Sequence, residues 1–235
     1  MALPKLNETP SYSIEVPSTG QKTTFRPFLV KEQKNLLIAY ETQERKDMVR
    51  AILRTIDACV EEPLEGTLTT FDVDYLFTKI RAKSVGESAD IQVSCSECGE
   101  ANKVSVELDD IKMSGETTNN LIEITDSVSI QMRYPSYEEF LNNDSLLSTE
   151  TTTEGLWELL VVCMEAVLTD EERISMNDQS KEDVSEFIDS MTSDQFAKVS
   201  EFINSVPSVT QDVKFECTSC GHANERTLKG MDDFF

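Results

Sequence analysis

Two short stretches of this chain share one pattern: Val93-Ser-Cys-Ser-Glu-Cys-Gly-Glu-Ala-Asn102 and Phe215-Glu-Cys-Thr-Ser-Cys-Gly-His-Ala-Asn224. In each, a β-like run leads into Cys-x-x-Cys-Gly, and Ala-Asn and a second β-like run follow. Two residues between the cysteines let both thiolates of a tight turn reach the same ion, and the glycine permits the left-handed backbone that closes such a turn. We call each stretch a knuckle, and the pattern predicts that each forms the tip of a β-hairpin.

The two knuckles together supply four sulfur ligands, from Cys95, Cys98, Cys217 and Cys220. A closed tetrahedral site of four thiolates suits Zn²⁺ and leaves no position open for water or substrate, so we expect one structural zinc ion in a zinc ribbon. An iron–sulfur or rubredoxin-like iron site is the alternative assignment. A redox pair is disfavoured because redox motifs lie at a helix N-terminus. A disulfide framework is disfavoured because the opening residues lack the layout of a signal peptide, which favours synthesis in the cytoplasm.

The ribbon is predicted to be split in sequence, because Cys98 and Cys217 are 119 positions apart. A metal ion held by both knuckles would close this long loop, whose entropy otherwise opposes pairing of the two halves. We therefore expect an α+β fold with a helical insert between the knuckles. The predicted divisions are an N-terminal β-hairpin plus helices, the first ribbon half with further strands, an acidic helical insert, and the second ribbon half with a tail: residues 1–85, 86–134, 135–206 and 207–235.

Apolar periodicity and turn residues predict the individual elements. A β-hairpin is expected over residues 11–28, and Val93 and Phe215 belong to alternating strands. The predicted helices cover residues 30–41, 44–60, 71–84, 154–168, 181–191 and 193–205. Capping boxes, in which a hydroxyl residue is followed three positions later by an acid or amide, are expected at Ser136, Thr169 and Thr192.

The chain is strongly acidic, with a formal net charge of −23 over 235 residues. Affinity for nucleic acid comes from neutralising phosphates with Lys and Arg, so direct nucleic-acid binding is not expected, and neither is docking on an anionic membrane. Most of the acidic excess falls within residues 136–206, whereas residues 1–60 are slightly basic. We expect the insert to face solvent or a basic partner; helices that simply carry solvated acidic faces would give the same pattern.

The sequence offers little support for catalysis. His222 is the only histidine, and it lies one residue beyond a knuckle glycine, where we expect an exposed side chain rather than a metal ligand. There is no glycine-rich loop that could cradle a phosphate. Cys59 and Cys163 fall on apolar helix faces and are expected to be buried core thiols. The sequence therefore predicts a protein that is not an enzyme.

The chain ends in Met231-Asp-Asp-Phe-Phe235, with two aromatic residues beyond the last predicted strand. Phe234 and Phe235 could anchor a docking peptide in the pocket of a partner. A C-terminus that packs against the protein itself is the alternative.

Several of these segments resemble one known group. The opening Met1-Ala-Leu-Pro-Lys-Leu-Asn7, the turn Pro17-Ser-Thr-Gly20, the run Phe25-Arg-Pro-Phe-Leu-Val-Lys-Glu32, the split knuckles and the ending Leu228-Lys-Gly-Met-Asp-Asp-Phe-Phe235 are similar to the baseplate hub protein family of T-even-type contractile-tailed phages. The resemblance implies a non-enzymatic structural or assembly component of the hub. It also implies contacts with other hub and tail proteins near the tube, spike and tape-measure region, in the virion tail baseplate or in the host cytoplasm during assembly.

A zinc-ribbon adaptor of transcription or translation machinery is the alternative function. Such adaptors often use a ribbon, but only Lys103, Arg226 and Lys229 are basic close to these knuckles. A ribbon that faces nucleic acid normally carries more positive charge, so direct contact is disfavoured.

Overall fold

A computed structural model describes residues 9–115, 120–147 and 153–234. These residues form a mixed α+β fold, which confirms the predicted class. The chain divides into two compact units. Unit 1 consists of Met1–Ser114 together with Ser208–Phe235, and unit 2 is the continuous segment Gly115–Pro207.

The elements are numbered in chain order. The strands are β1 (Tyr12–Glu15), β2 (Lys22–Phe25), β3 (Ser88–Ser94), β4 (Ala101–Glu107), β5 (Lys112–Ser114), β6 (Leu121–Thr125), β7 (Val128–Met132), β8 (Met164–Thr169), β9 (Arg173–Ser175), β10 (Ser208–Glu216) and β11 (Ala223–Lys229). The helices are α1 (Val30–Thr42), α2 (Arg45–Cys59), α3 (Thr70–Val85), α4 (Tyr137–Asn142), α5 (Asp144–Leu147), α6 (Thr153–Cys163), α7 (Lys181–Asp189) and α8 (Ser193–Asn204).

The N-terminal part of unit 1 holds the predicted hairpin and the three predicted helices. Strands β1 and β2 pair antiparallel, from Tyr12 opposite Phe25 to Glu15 opposite Lys22. Helix α3 is buried on most of its faces, with Phe71 and Leu76 at 1% and 0% exposure. Because its buried side chains, which include the polar Asp72 and Thr78, lie on several sides of the helix, α3 lies inside the core rather than on its surface.

A buried carboxylate ties the β1–β2 turn to the start of α3. Asp72 accepts hydrogen bonds from the backbone N–H of Ser18 at 2.8 Å and from its hydroxyl at 2.6 Å. The same side chain accepts from Thr69, the N-cap residue, in a capping box. Hydrogen bonds to an ionised carboxylate are the strong ones, so this cluster fixes the hairpin against the helix.

The ribbon part of unit 1 consists of two antiparallel hairpins and a short extra strand. Strand β3 pairs with β4, and β10 pairs with β11 on one side and with β5 on the other. Side chains alternate strictly between buried and exposed along β3 and β4, as expected for strands with one face on a core. The buried face joins the cluster Ala82, Ala89, Ile91, Val93, Val104, Val106, Leu108, Ile111, Val209, Val213, Leu228 and Phe234.

Unit 2 packs helices on one four-stranded antiparallel sheet of order β6-β7-β8-β9. Its core consists of Ile130, Met132, Leu160, Cys163, Met164, Val167, Met176, Val184, Ile188, Val199 and Phe202. The predicted capping boxes at Ser136 and Thr192 are both present, at the starts of α4 and α8. The strands β6 and β7, which the sequence groups with the first ribbon half, pair within this unit.

The predicted helix over residues 154–168 is wrong in its last third. Helix α6 ends at Cys163, and Met164–Thr169 is the strand β8, which lies between β7 and β9. A short, continuously apolar run suits a buried helix or a buried strand, so periodicity alone does not separate them. Sheet pairing on both sides decides for the strand, since Val167 lies opposite both Ile130 and Ile174.

The predicted capping box at Thr169 is wrong for the same reason. Thr169 ends β8, and its backbone N–H donates to the carbonyl of Glu172 at 2.9 Å, which closes a turn into β9. The hydroxyl accepts from the backbone N–H groups of Glu171 and Glu172 within that turn. The motif therefore serves a hairpin, because hydroxyl side chains satisfy turns as readily as helix starts.

In the three described stretches of chain, no helix combines the length and the apolar character needed to cross a membrane.

Candidate metal centre

The two knuckles have the same backbone geometry. In the first, the N–H of Cys95 donates to the carbonyl of Glu100 at 2.8 Å, and the N–H of Gly99 donates to the carbonyl of Cys95 at 3.0 Å. In the second, Cys217 donates to His222 and Gly221 donates to Cys217, both at 2.9 Å. Each knuckle therefore closes the tip of a hairpin, as the repeat predicts.

The glycines of the knuckles are required by their backbone conformation. Gly99 has φ 74° and Gly221 has φ 72°, both in the left-handed region that a Cβ atom disfavours. This turn places both cysteines of a knuckle on the same side of the hairpin. The Cys-x-x-Cys segments therefore lie in turns between strands and not at a helix N-terminus, which is where redox pairs lie.

The fold brings all four predicted cysteines together. The Sγ atoms of Cys95, Cys98, Cys217 and Cys220 lie within 4.8 Å of one another. The sulfurs of Cys95 and Cys220 are 3.8 Å apart, and those of Cys98 and Cys217 are 3.6 Å apart. These distances are far too long for disulfide bonds, and all four thiols are free.

The four sulfurs fit a tetrahedral metal ion. A Zn–S distance of about 2.3 Å in a regular tetrahedron places neighbouring sulfurs about 3.8 Å apart. Two of the sulfur–sulfur distances match this value closely. Four thiolate donors also occupy every position of a tetrahedron, so the arrangement suits a metal that holds the structure rather than one that binds substrate.

The first cysteine of each knuckle is buried and the second is exposed. Cys95 and Cys217 are 4% and 3% exposed. A hydrogen bond from the backbone N–H of Cys98 lowers the pKa of Cys95. Hydrogen bonds, first among them that from the backbone N–H of Cys220, lower the pKa of Cys217 to about 6. The shifts at these two cysteines favour the thiolate form that binds metal, whereas the pKa of Cys98 is raised and that of Cys220 is raised to about 12 beside the neighbouring sulfurs.

Two buried asparagines, Asn102 and Asn224, lie beside the sulfurs. The Nδ2 of Asn102 is 3.6 Å from the Sγ of Cys217, and the Nδ2 of Asn224 is 3.5 Å from the Sγ of Cys95. The sequence repeat contains both residues, but spacing alone predicts no role for them. The one feature of the sequence that could have indicated a role is that both knuckles carry an asparagine at the same position.

The remaining cysteines and the histidine take no part in this cluster. Cys59 and Cys163 are 1% and 0% exposed within apolar cores, as predicted. Burial raises the pKa of Cys59 to about 11 and that of Cys163 to about 12. Both are therefore protonated thiols at neutral pH. His222 is exposed at the turn of the second knuckle, also as predicted.

The structure corrects the prediction of a docking tail at Phe234. Its side chain is 1% exposed and belongs to the core of unit 1, following a 3₁₀ turn over Met231–Asp233. Burying an aromatic ring in this core is more favourable than leaving it in water. Phe234 therefore packs against the protein itself, which is the alternative prediction. Phe235 lies outside the described residues, so its predicted role is not addressed.

A family model described as T4 bacteriophage base plate protein matches residues 9–235. No curated protein and no solved structure matches the chain. The family match includes both knuckles and both units.

Proposed function

The chain belongs to the family of T4 bacteriophage base plate proteins, as its sequence predicts, and from this premise we propose that it is a non-enzymatic component of the baseplate hub. It acts through contacts with other hub and tail proteins, either in the virion tail or during assembly in the host cytoplasm. The observation that carries this proposal is a family match that extends from the first hairpin to the end of the chain.

One structural zinc ion stabilises unit 1 in this proposal. Its ligands are Cys95, Cys98, Cys217 and Cys220, whose sulfurs lie within 4.8 Å of one another. The ion would join two chain segments that a long insert separates, and its binding free energy would offset the entropy of closing that loop. The four ligands leave no site for a substrate, in keeping with a structural role.

Exposed apolar side chains on α1 support a role in protein–protein contacts. Val30, Leu37 and Tyr40 are 79%, 57% and 68% exposed, and their spacing places them along one face of the helix. Large apolar side chains grouped on a surface mark interaction sites. A hub component is expected to expose such a face before its partners bind.

The test of the hub assignment is capture of partners from infected cells by the tagged full-length chain. We expect hub, tube, spike or tape-measure proteins in the captured fraction. Leu37→Asp weakens the capture if the α1 face contributes, while Val85→Asp, which changes an exposed apolar residue on α3, serves as the control. Capture of RNA polymerase or ribosomal components instead would support the adaptor function and contradict ours.

The test of the metal assignment is metal analysis of the purified protein. We expect about one zinc ion per chain, and loss of that zinc in Cys95→Ser. His222→Ala, which changes an exposed side chain of the same knuckle, retains it. Iron in place of zinc would favour the rubredoxin-like alternative, and a chain purified without any metal would contradict the site.

A further inference from the structure

We propose that Asn102 and Asn224 are positioning residues of the metal centre, each holding the first cysteine of the opposite knuckle through its side-chain amide. The proposal rests on the zinc site proposed above and deepens it. Both side chains are buried, at 2% and 8% exposure. A buried amide is costly unless its donors and acceptors are satisfied, so its complete set of partners is informative.

Every hydrogen-bonding position of the Asn224 amide is occupied. Its Nδ2 donates to the carbonyl of His222 at 2.9 Å and to the Sγ of Cys95 at 3.5 Å. Its Oδ1 accepts from the backbone N–H of Ser96 and from the Ser96 hydroxyl, both at 2.9 Å. One bond therefore stays within the second knuckle, and three reach across to the first.

Asn102 makes the mirror-image set. Its Nδ2 donates to the carbonyl of Glu100 at 2.8 Å and to the Sγ of Cys217 at 3.6 Å. Its Oδ1 accepts from the backbone N–H of Thr218 at 2.8 Å and from the Thr218 hydroxyl at 3.0 Å. The side chain of each asparagine thus contacts the opposite knuckle. Each contacts a cysteine there and the hydroxyl residue that directly follows that cysteine.

Because of these reciprocal contacts, neither knuckle has its full set of hydrogen bonds without the other. The cross-knuckle bonds join residues that are 115 to 129 positions apart, so they form only when both chain segments are in place. The oxygen of each amide fixes the turn of the opposite knuckle, and its N–H points at the sulfur. An N–H donor to a ligand atom orients that atom and offsets part of its negative charge.

The two halves of the amide can be separated by substitution. Asn→Asp has the same shape and keeps an oxygen that accepts from Ser96 or Thr218. It loses both N–H donors, the one directed at the sulfur and the one to the carbonyl of His222 or Glu100, and sets a carboxylate beside a thiolate. If the asparagines act only by bracing the opposite turn through their oxygens, Asn102→Asp and Asn224→Asp should leave metal binding nearly intact, whereas a positioning role of the N–H requires that both weaken it.

The experiment measures zinc affinity of the full chain by competition with a chromophoric chelator. We expect Asn102→Ala, Asn224→Ala and both Asp variants to lose about 10- to 100-fold in affinity, the range found when groups that orient metal ligands are removed. The sulfur-to-metal charge-transfer band of the Co²⁺-loaded protein should shift in the same variants. Ser219→Ala, which changes an exposed hydroxyl in the same turn, is the control.

A second measurement tests whether each asparagine acts on the cysteine of the opposite knuckle. With zinc bound, alkylation followed by mass spectrometry should show Cys95 reacting faster in Asn224→Ala, and Cys217 reacting faster in Asn102→Ala. A brace confined to its own knuckle would give the reverse assignment and overturn the proposal. A wild-type chain that binds zinc with asparagine variants that bind equally tightly would overturn the positioning role alone. A wild-type chain that binds no zinc or Co²⁺ would overturn the zinc site and the positioning role together.

Discussion

Units 1 and 2 differ in the interactions that hold each of them together. Unit 1 is assembled from two chain segments, and the tips of its two ribbon hairpins bring four cysteines together. Unit 2 is one continuous segment, in which helices cover a four-stranded sheet around an apolar core. The described residues of unit 2 contain no comparable cluster of metal-ligating side chains.

The hydrogen bonds reflect the same difference. In unit 1, the amides of Asn102 and Asn224 join residues more than 110 positions apart, and the hydroxyls of Ser114 and Ser208 meet at 2.9 Å. In unit 2, side-chain hydrogen bonds such as those from Gln195 to the carbonyl of Ile124 and from Lys198 to the carbonyl of Glu123 span 71 and 75 positions within one continuous segment. A unit built by long-range closure must offset a large loop entropy, whereas a continuous unit can rely on apolar burial.

Removal of the proposed zinc ion should have the largest effect and should act on unit 1. Structural zinc contributes about 10–16 kcal/mol to the folding of zinc-finger peptides at neutral pH, so a chelator should unfold the ribbon. Trp157, the only tryptophan, lies in unit 2 and stacks on Phe196 with ring centroids 6.1 Å apart. We therefore expect chelation to change the far-ultraviolet circular dichroism and to leave the tryptophan fluorescence unchanged.

A chelator that changes the circular dichroism and the tryptophan fluorescence together would contradict the difference between the units. That result would mean that unit 2 depends on the metal as strongly as the ribbon does. Cys217→Ser provides the same test without a chelator, and His222→Ala, at the same knuckle, should behave as the wild type.

A cavity in the core of unit 2 should give the next largest effect. Leu160→Ala removes a side chain that is 3% exposed, and such changes cost about 2–5 kcal/mol. We expect the unfolding midpoint followed by Trp157 fluorescence to fall and the zinc content to stay unchanged. Leu156→Ala, on the same helix but 51% exposed, is the matched control and should cost less than about 0.5 kcal/mol.

The sequence predicts the cluster of four cysteines better than it predicts the strand that follows α6. The four cysteines occur in two short repeats, and local turn chemistry around Gly99 and Gly221 places the two of each knuckle on one turn. The roles of Asn102 and Asn224 are invisible in the sequence because each partner lies on the opposite knuckle. Strand β8 is missed because sheet pairing, not periodicity, decides its conformation.

A buried ion pair in unit 1 should give the third effect, with a characteristic pH dependence. Glu32 is 4% exposed and lies 3.1 Å from the guanidinium of Arg26. Burial alone would raise the pKa of Glu32, but hydrogen bonds from the N–H of Leu29 and from Arg26 and Lys31 outweigh it and lower the pKa. Glu32→Gln should cost about 1.5–3 kcal/mol at neutral pH, because hydrogen bonds to a charged group are lost.

The stabilisation by Glu32 is fully present above the pKa of a carboxyl in the unfolded chain, about 4.3, and is lost as the pH falls through the lower pKa of the folded protein. The difference between wild type and Glu32→Gln in urea unfolding should therefore shrink in that acidic window. The control is Glu165→Gln in unit 2, whose pair with Arg173 is exposed and should contribute at most about 1 kcal/mol. A difference that is independent of pH would contradict the role of the Glu32 charge.

The smallest effect should come from a helix cap that both units use in different ways. In unit 2, the Thr192 hydroxyl accepts from the N–H of Gln195 at 3.3 Å, and the motif is exposed and local. In unit 1, Thr69 forms the same motif with Asp72, and the carboxylate of Asp72 also accepts from Ser18, which lies 54 positions before Asp72. Thr192→Ala should therefore cost about 1 kcal/mol, as isolated caps do, and Thr192→Ser should restore it.

The cap in unit 1 should show coupling that the cap in unit 2 lacks. Removing Thr69 and Ser18 hydroxyls together should differ from the sum of the single changes by about 0.5 kcal/mol or more, since both bind one buried carboxylate. Thr192→Ala combined with Ser18→Ala should be additive, because these residues lie in different units and share no partner. Additivity at Thr69 and Ser18 would mean that unit 1 depends on long-range polar ties no more than unit 2 does, and would leave the cysteines as its only distinct feature.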